Sequence, residues 1–113
     1  LNQKAELPKD FNRLFLSYCG ITNQGLKMLL EAIQHNGQIQ LHTLALNQNH
    51  FTDDVMPDLI TFFQTQKKLM SCNLRANAFT YQGLKLLAES QLDILNKREF
   101  KKMLIELLFK QLE

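Results

Sequence analysis

The hydrophobic positions of this chain recur in three blocks of the same form, LxxLxL, in which x is variable. The blocks begin at Phe11, Leu41 and Leu69, so they lie 30 residues (11 to 41) and then 28 residues (41 to 69) apart. At the end of each block, apolar and variable residues alternate with a period of two, which predicts a short strand with one buried face. A period of this length is typical of a repeat protein, in which one structural unit stacks on the next.

A small residue follows each predicted strand at the ninth position of its block. It is Cys19 in the first block, Asn49 in the second and Asn77 in the third. Here the chain must turn away from the sheet and leaves backbone groups without strand partners, and an inward-pointing side-chain amide can hydrogen-bond to them. We expect the two asparagines to hold these turns and Cys19 to hold its turn more weakly.

Each block ends with an apolar residue and a threonine, and apolar residues with helical spacing follow. The threonines are Thr22, Thr52 and Thr80. A threonine at this place predicts a helix N-cap, because its hydroxyl can accept a hydrogen bond from an unpaired backbone N–H. Pro57 fits only the first turn of a helix. The second helix is therefore expected to begin at Asp53 or Asp54, whose carboxylates complement the helix dipole.

The succession of strand, turn and helix resembles the ribonuclease-inhibitor-like class of leucine-rich repeat. The blocks LxxLxLxx(N/C)x(I/F)T carry the resemblance, together with Gly25 and Gly83 just inside two helices, and they cover residues 11 to 90. Phe11 and Cys72 stand at leucine positions, and Val55 stands where the other blocks have glycine. The resemblance implies an α/β fold: a right-handed solenoid of about three repeats with a parallel sheet on its concave face and helices on its convex face.

On this resemblance the chain divides into repeats at 11–40, 41–68 and 69–90. Residues 1–10 are expected to be the tail of a preceding repeat rather than a flexible tail, which would make the chain a C-terminal fragment of a longer protein. Residues 91–113 break the pattern and are expected to form a C-terminal capping helix.

The C-terminal segment predicts a helix from about Lys97 to Gln111, with Asn96 and Glu99 at the spacing of a capping box. Its apolar residues fall on two neighbouring faces: Phe100, Met103, Leu104, Leu107 and Leu108 on one, and Ile105, Phe109 and Leu112 on the other. A helix this apolar is expected either to be deeply wrapped by the chain or to contact something besides its own repeat. A fourth strand within residues 104–112 is the alternative for this segment.

Composition and charge narrow the class of partner. The chain has 113 residues, of which 45% are hydrophobic and 21% charged, as in an ordinary globular domain. A formal charge of +2 is too small for a nucleic-acid or anionic-membrane binder. Two cysteines 53 positions apart in sequence (19 to 72) do not form a disulfide framework, so we expect an intracellular protein, more often cytoplasmic than nuclear.

The sequence holds no motif for catalysis, for a cofactor or for a metal. No HExxH, GxSxG, P-loop or Rossmann glycine pattern is present, and none of the three histidines is paired with a cysteine at ligand spacing. We therefore expect neither enzymatic activity nor a cofactor.

The outward strand positions are the candidate binding residues. In the aligned blocks they form four columns: Arg13, Thr43 and Ser71; Phe15, Ala45 and Asn73; Ser17, Asn47 and Arg75; and Tyr18, Gln48 and Ala76. Ligands of solenoids usually dock on such columns, and tyrosine and arginine are enriched among binding hot spots. The predicted partner-binding residues are Arg13, Phe15, Tyr18, Asn47, Asn73, Arg75 and, on the terminal helix, Ile105 and Phe109.

These features predict a non-catalytic protein–protein interaction module that holds a protein partner through the concave face and the terminal helix. Two alternatives stay open. In the first, the apolar terminal helix mediates self-association or docking into a larger complex. In the second, which rests on analogy with Ran GTPase-activating proteins of the same repeat class, an outward arginine serves a GTPase-regulating domain.

Overall fold

The computed structural model describes residues 11–113, so the predicted repeat tail at residues 1–10 lies outside the described part. Three strands form one parallel sheet in chain order: β1 (Arg13–Phe15), β2 (Thr43–Ala45) and β3 (Ser71–Asn73). Four α-helices accompany them: α1 (Asn23–His35), α2 (Met56–Thr65), α3 (Tyr81–Ala88) and α4 (Arg98–Lys110). The prediction of an α/β fold with a parallel sheet is confirmed.

The strands pair in the register that the alignment of the blocks predicts. Arg13 lies beside Thr43, and Thr43 beside Ser71. The next row joins Leu14, Leu44 and Cys72, and the third joins Phe15, Ala45 and Asn73. Since strand side chains alternate between the two faces, the middle row points into the protein and the outer rows point away from it.

The hydrophobic core fills the space between the sheet and the helices. The strand side supplies leucines of the blocks, chiefly Leu41, Leu44, Leu46 and Leu74, and the helix side supplies Leu26, Leu30, Met56, Leu59, Phe62 and Leu84. Each of these side chains is almost fully buried, which stabilises the fold by about 1.5–3 kcal/mol for a side chain of this size. The helices pack against one another in chain order, α1 on α2, α2 on α3 and α3 on α4.

The asparagines hold the turns after the strands, as predicted. The side-chain amide of Asn49 donates to the carbonyls of Leu16 and Leu46, both at 3.0 Å, and its Oδ1 accepts from the N–H of Cys19 at 3.1 Å. Each asparagine therefore joins its own turn to the preceding one. Asn77 repeats the two carbonyl bonds one unit later, to Leu46 and Leu74, but its Oδ1 accepts from the N–H of Phe51, two positions further along the turn.

The residue before each of these positions has a left-handed backbone. The φ angles are 55° at Tyr18, 59° at Gln48 and 58° at Ala76. This conformation is unfavourable by roughly 1–2 kcal/mol for a residue with a Cβ atom. Its recurrence shows that all three turns follow one backbone path.

Two of the three threonine caps form as predicted. The hydroxyl of Thr22 accepts from the N–H of Gly25 at 3.1 Å, and that of Thr52 accepts from the N–H of Asp54 at 3.4 Å. The chain after Thr52 begins with a 3₁₀ turn, Asp53–Val55, and continues as α2 with Pro57 in its first turn. The predicted start at Asp53 or Asp54 therefore corresponds to the 3₁₀ turn.

Thr80 stands at the N-cap position of α3 as predicted, but the predicted bond from its hydroxyl to the first turn does not form. Thr80 donates both its N–H, at 2.9 Å, and its hydroxyl to the carboxylate of Asp53, and it makes no side-chain cap bond to α3. The same carboxylate lies against Gly83, where a methyl group would overlap it. One unit earlier, Asn23 contacts Thr52 at the same two places: its Oδ1 accepts from the N–H of Thr52 at 3.1 Å, and its NH₂ donates to the hydroxyl at 2.8 Å.

The C-terminal segment is helical, so the alternative of a fourth strand is wrong. The α-helix runs from Arg98 to Lys110, one residue shorter at each end than predicted. The predicted capping box does not form, because Asn96 closes a 3₁₀ turn, Asp93–Asn96, and the N-cap position falls on Lys97 without a side-chain bond.

Helix α4 packs over β3 and covers the side of that strand opposite β2. The N–H of Leu16 bonds the carbonyl of Ala45, and the N–H of Leu46 bonds that of Asn73. The N–H of Leu74 is next in this series, and it bonds the thioether sulfur of Met103 at 3.1 Å. The sulfur atom takes the place that a carbonyl of a further strand would occupy. Phe100 and Leu104, also on α4, are buried beside it.

Candidate functional site

The outward face of the sheet is the candidate functional site. Its two aromatic residues are exposed, with 64% of Phe15 and 81% of Tyr18 accessible to solvent. Arg13 is also exposed, whereas Ala45, in the same row as Phe15, is almost buried. The face therefore carries exposed aromatic side chains at β1 and a small, nearly buried side chain at β2.

A groove runs across this face from β1 to α4. Its volume is about 270 Å³, and its lining includes Phe15, Thr43, Ala45, Ser71, Asn73, Arg75, Glu99, Phe100 and Met103. The sheet supplies the floor, Phe15 stands at one end, and α4 forms the wall at the other. The floor combines the small apolar Ala45 with short neutral polar side chains, so it can accept an apolar group and hydrogen-bond to the atoms around it.

The polar residues of the face are held by one another. The hydroxyl of Ser17 donates to Oδ1 of Asn47 at 2.6 Å. Oδ1 of Asn73 accepts from the backbone N–H of Arg75 at 3.0 Å. Within residues 11–113 the side-chain NH₂ groups of both asparagines make no hydrogen bond, so each keeps a donor for a ligand.

Arg75 is joined to the terminal helix. Its guanidinium contacts the carboxylate of Glu106 through Nε and Nη2, both at 2.9 Å. The two side chains are about two-fifths exposed, and an ion pair of this exposure contributes roughly 0–1 kcal/mol to stability. Its main effect is on position, because it fixes the guanidinium at the α4 end of the groove.

The structure brings some of the predicted residues together and leaves others apart. Phe15, Asn73 and Arg75 line one groove. The predicted residues Arg13, Tyr18 and Asn47 lie on the same face outside the groove lining, and Ile105 and Phe109 lie exposed on α4.

Two groove-side residues were missed by the sequence prediction, namely Glu99 and Glu106. The sequence placed Glu106 on the polar strip of the last helix and Glu99 in a capping box, but neither was assigned to binding. The position of these two carboxylates relative to the sheet depends on how α4 packs against β3. The hydrophobic period of the sequence does not specify that packing.

The cysteines differ in reactivity. Burial raises the pKa of the Cys72 thiol well above its ordinary value and keeps it neutral, whereas Cys19 is exposed. In the part of the chain that the structure describes, no group of three histidine, cysteine or acidic residues lies close enough together to hold a metal ion. None of the helices between residues 11 and 113 has the length and apolar character needed to cross a membrane.

The chain matches no protein-family model and no curated protein in sequence comparisons.

Proposed function

We propose that the chain is a short leucine-rich-repeat solenoid of the ribonuclease-inhibitor-like class. Three features support this reading: the strands pair in the register of the aligned blocks, Asn49 and Asn77 bond each turn to the one before it, and the helices pack in chain order. The sheet then forms the concave side and the helices the convex side, with α4 closing the C-terminal end.

The proposed activity is non-catalytic binding of a protein partner by the outward face of the sheet. The observation that carries it is the exposure of two aromatic side chains on this face, Phe15 at one end of a groove whose floor includes Ala45, and Tyr18 outside that groove. Exposed aromatic side chains dominate the energetics of many interfaces, and truncation of a buried anchor commonly weakens binding by about 2 kcal/mol or more.

The groove suggests how a partner is held. An apolar side chain of the partner enters above Ala45, where it contacts the ring of Phe15. The side-chain NH₂ of Asn73 and the hydroxyls of Thr43 and Ser71 hydrogen-bond to the backbone of the same segment. This division between an apolar anchor and surrounding polar contacts is the usual anatomy of a protein interface.

The alternative of a GTPase-regulating arginine receives less support. Arg75 is bound by Glu106 and contacts Asn73, so its guanidinium is already positioned by this chain. Arg13 is exposed on β1 and is the residue through which that alternative would act. If Arg13→Ala left the rate of GTP hydrolysis unchanged, the GTPase-regulating alternative would be excluded.

The test compares partner capture by matched surface variants. The double variant Phe15→Ala/Tyr18→Ala truncates the strand face, and the control Met28→Ala/Leu86→Ala truncates two side chains of similar exposure on the helices α1 and α3. Each immobilised protein is incubated with the same lysate, and the retained proteins are quantified by mass spectrometry. Thermal unfolding of each variant checks that the fold is intact.

We expect a defined set of proteins on the unmodified chain and on the helix-side control, and loss of that set on the strand-face variant. A set retained equally by all three proteins would contradict the strand-face proposal. A set lost only on the helix-side control would place binding on the opposite surface.

A further inference from the structure

Helix α4 exposes three apolar side chains that its packing does not use. They are Ile105, Phe109 and Leu112, accessible at 47%, 64% and 76%. Their spacing of four and three residues puts them on one face of the helix and its final turn. The face lies away from Phe100, Met103 and Leu104, which are buried against β3 and the core.

The charges of α4 are divided between two sides. Both of its carboxylates face the groove, where Glu99 forms part of the lining and Glu106 bonds Arg75. Three cations, Arg98, Lys101 and Lys102, are exposed, and helical spacing puts them on the same side as the apolar residues, one to two turns earlier. Within residues 11–113 none of these cations forms an ion pair.

The resulting surface, which we call the outer α4 face, is cationic in its first half and apolar in its second. From Arg98 to Leu112 it is about 21 Å long at 1.5 Å per residue. That length matches a partner helix of roughly four turns. The three cations form no ion pair within residues 11–113, so the partner that fits them carries carboxylates there.

The exposed apolar area is small for a dimer of this chain. With roughly 150–250 Å² for each large side chain when fully exposed, the accessible fractions of the three residues sum to about 280–470 Å². A stable dimer interface uses about 800 Å² on each partner, whereas a weak, transient contact uses less. Two copies related by a two-fold axis would also bring cations near cations or onto apolar residues, so self-association leaves the charge unmatched.

We propose that the outer α4 face binds an acidic amphipathic helix of another protein. Three apolar side chains of that helix contact Ile105, Phe109 and Leu112, and its carboxylates, one to two turns away, pair with Arg98, Lys101 and Lys102. This surface is separate from the strand face and does not depend on the function proposed for it.

The test uses two synthetic 16-residue helical peptides on an alanine background. Both carry leucines spaced i, i+4 and i+7, and one carries three glutamates in the two turns before them whereas the other carries three lysines. Binding of each fluorescein-labelled peptide to the whole chain is measured by fluorescence anisotropy at low and at high salt.

We expect the glutamate peptide to bind at least tenfold more tightly than the lysine peptide, with a smaller ratio at high salt because the charges are exposed. Phe109→Ser should weaken binding of the glutamate peptide at least tenfold. Lys101→Glu/Lys102→Glu should reverse the preference between the peptides, which loss of folding cannot do.

Matched control variants test whether binding of the glutamate peptide depends on the outer α4 face in particular. Leu86→Ser removes an exposed leucine from α3, and Lys67→Glu/Lys68→Glu reverses two exposed lysines elsewhere on the surface. Both control variants, and Phe15→Ala/Tyr18→Ala on the strand face, should bind the glutamate peptide as the unmodified chain does.

Three results would overturn the proposal. The first is equal binding of the two peptides. The second is a dimer in sedimentation equilibrium that Phe109→Ser abolishes, which would make a second copy the occupant. The third is co-sedimentation with phosphatidylcholine–phosphatidylserine vesicles that Phe109→Ser abolishes, which would make the face a membrane contact.

Discussion

Replacement of Asn49 by alanine tests whether the turn asparagines bind the units of the stack together. The side chain is almost fully buried. It makes two amide bonds of 3.0 Å, to Leu16 and Leu46, and accepts one of 3.1 Å from Cys19, with a longer amide contact of 3.4 Å to Asn47. Alanine removes all of them and leaves the backbone groups of two turns without partners.

The expected loss in the free energy of unfolding can be worked out from the three short hydrogen bonds. Each contributes about 0.5–1.5 kcal/mol net, so the free energy of unfolding should fall by roughly 2–4 kcal/mol. With a urea dependence of about 2 kcal/mol per molar, the middle of the range for small proteins, the unfolding midpoint should fall by roughly 1–2 M. Circular dichroism at 222 nm during urea titration measures this shift.

Cys19 provides the matched control, because it occupies the same position in the preceding unit. Its side chain makes one weak bond, from Sγ to the carbonyl of Ser17 at 3.4 Å. Cys19→Ala should therefore lower the free energy of unfolding by less than about 1 kcal/mol. If Asn49→Ala were no more destabilising than Cys19→Ala, the reasoning that the asparagine joins neighbouring turns would be refuted.

Two further predictions concern other contacts between units and the cysteines. Gly83→Ala should destabilise the fold by about 1–3 kcal/mol, because the new methyl group overlaps the Asp53 carboxylate. In an Asp53→Ala background the same change should be nearly neutral. An equal loss of stability in both backgrounds, measured by urea titration, would contradict the overlap. In the native protein at pH 8, Ellman's reagent should modify one thiol within minutes, that of exposed Cys19. The thiol of Cys72 should react only after unfolding, since burial holds it neutral. Two thiols that react equally fast would show that solvent reaches Cys72.

Contacts set by the repeat could be predicted from the sequence. The rows that join Arg13, Thr43 and Ser71 follow from the block spacing alone, because identical units stacked side by side must pair at equivalent positions. The amide bonds of Asn49 followed from the need to satisfy a turn. The helical nature of residues 98–110 followed from apolar spacing.

Contacts between unlike positions could not be predicted. Asp53 reaches Thr80, 27 residues away, and the hydroxyl of Thr80 bonds this carboxylate while making no bond to the first turn of α3. The ion pair of Arg75 with Glu106 likewise depends on the angle at which α4 crosses β3. Such angles come from packing of particular side chains, which the hydrophobic period does not specify.

The bond from Leu74 to Met103 has a consequence for assembly. Parallel stacks can lengthen by adding strands, and an uncovered edge strand is a template for pairing with other chains. The N–H of Leu74, directly after β3, is occupied by a thioether sulfur, which accepts a hydrogen bond but offers no donor in return. A strand approaching this edge would find that N–H occupied and α4 in its path. This edge of the sheet is therefore protected against the addition of a strand from another chain.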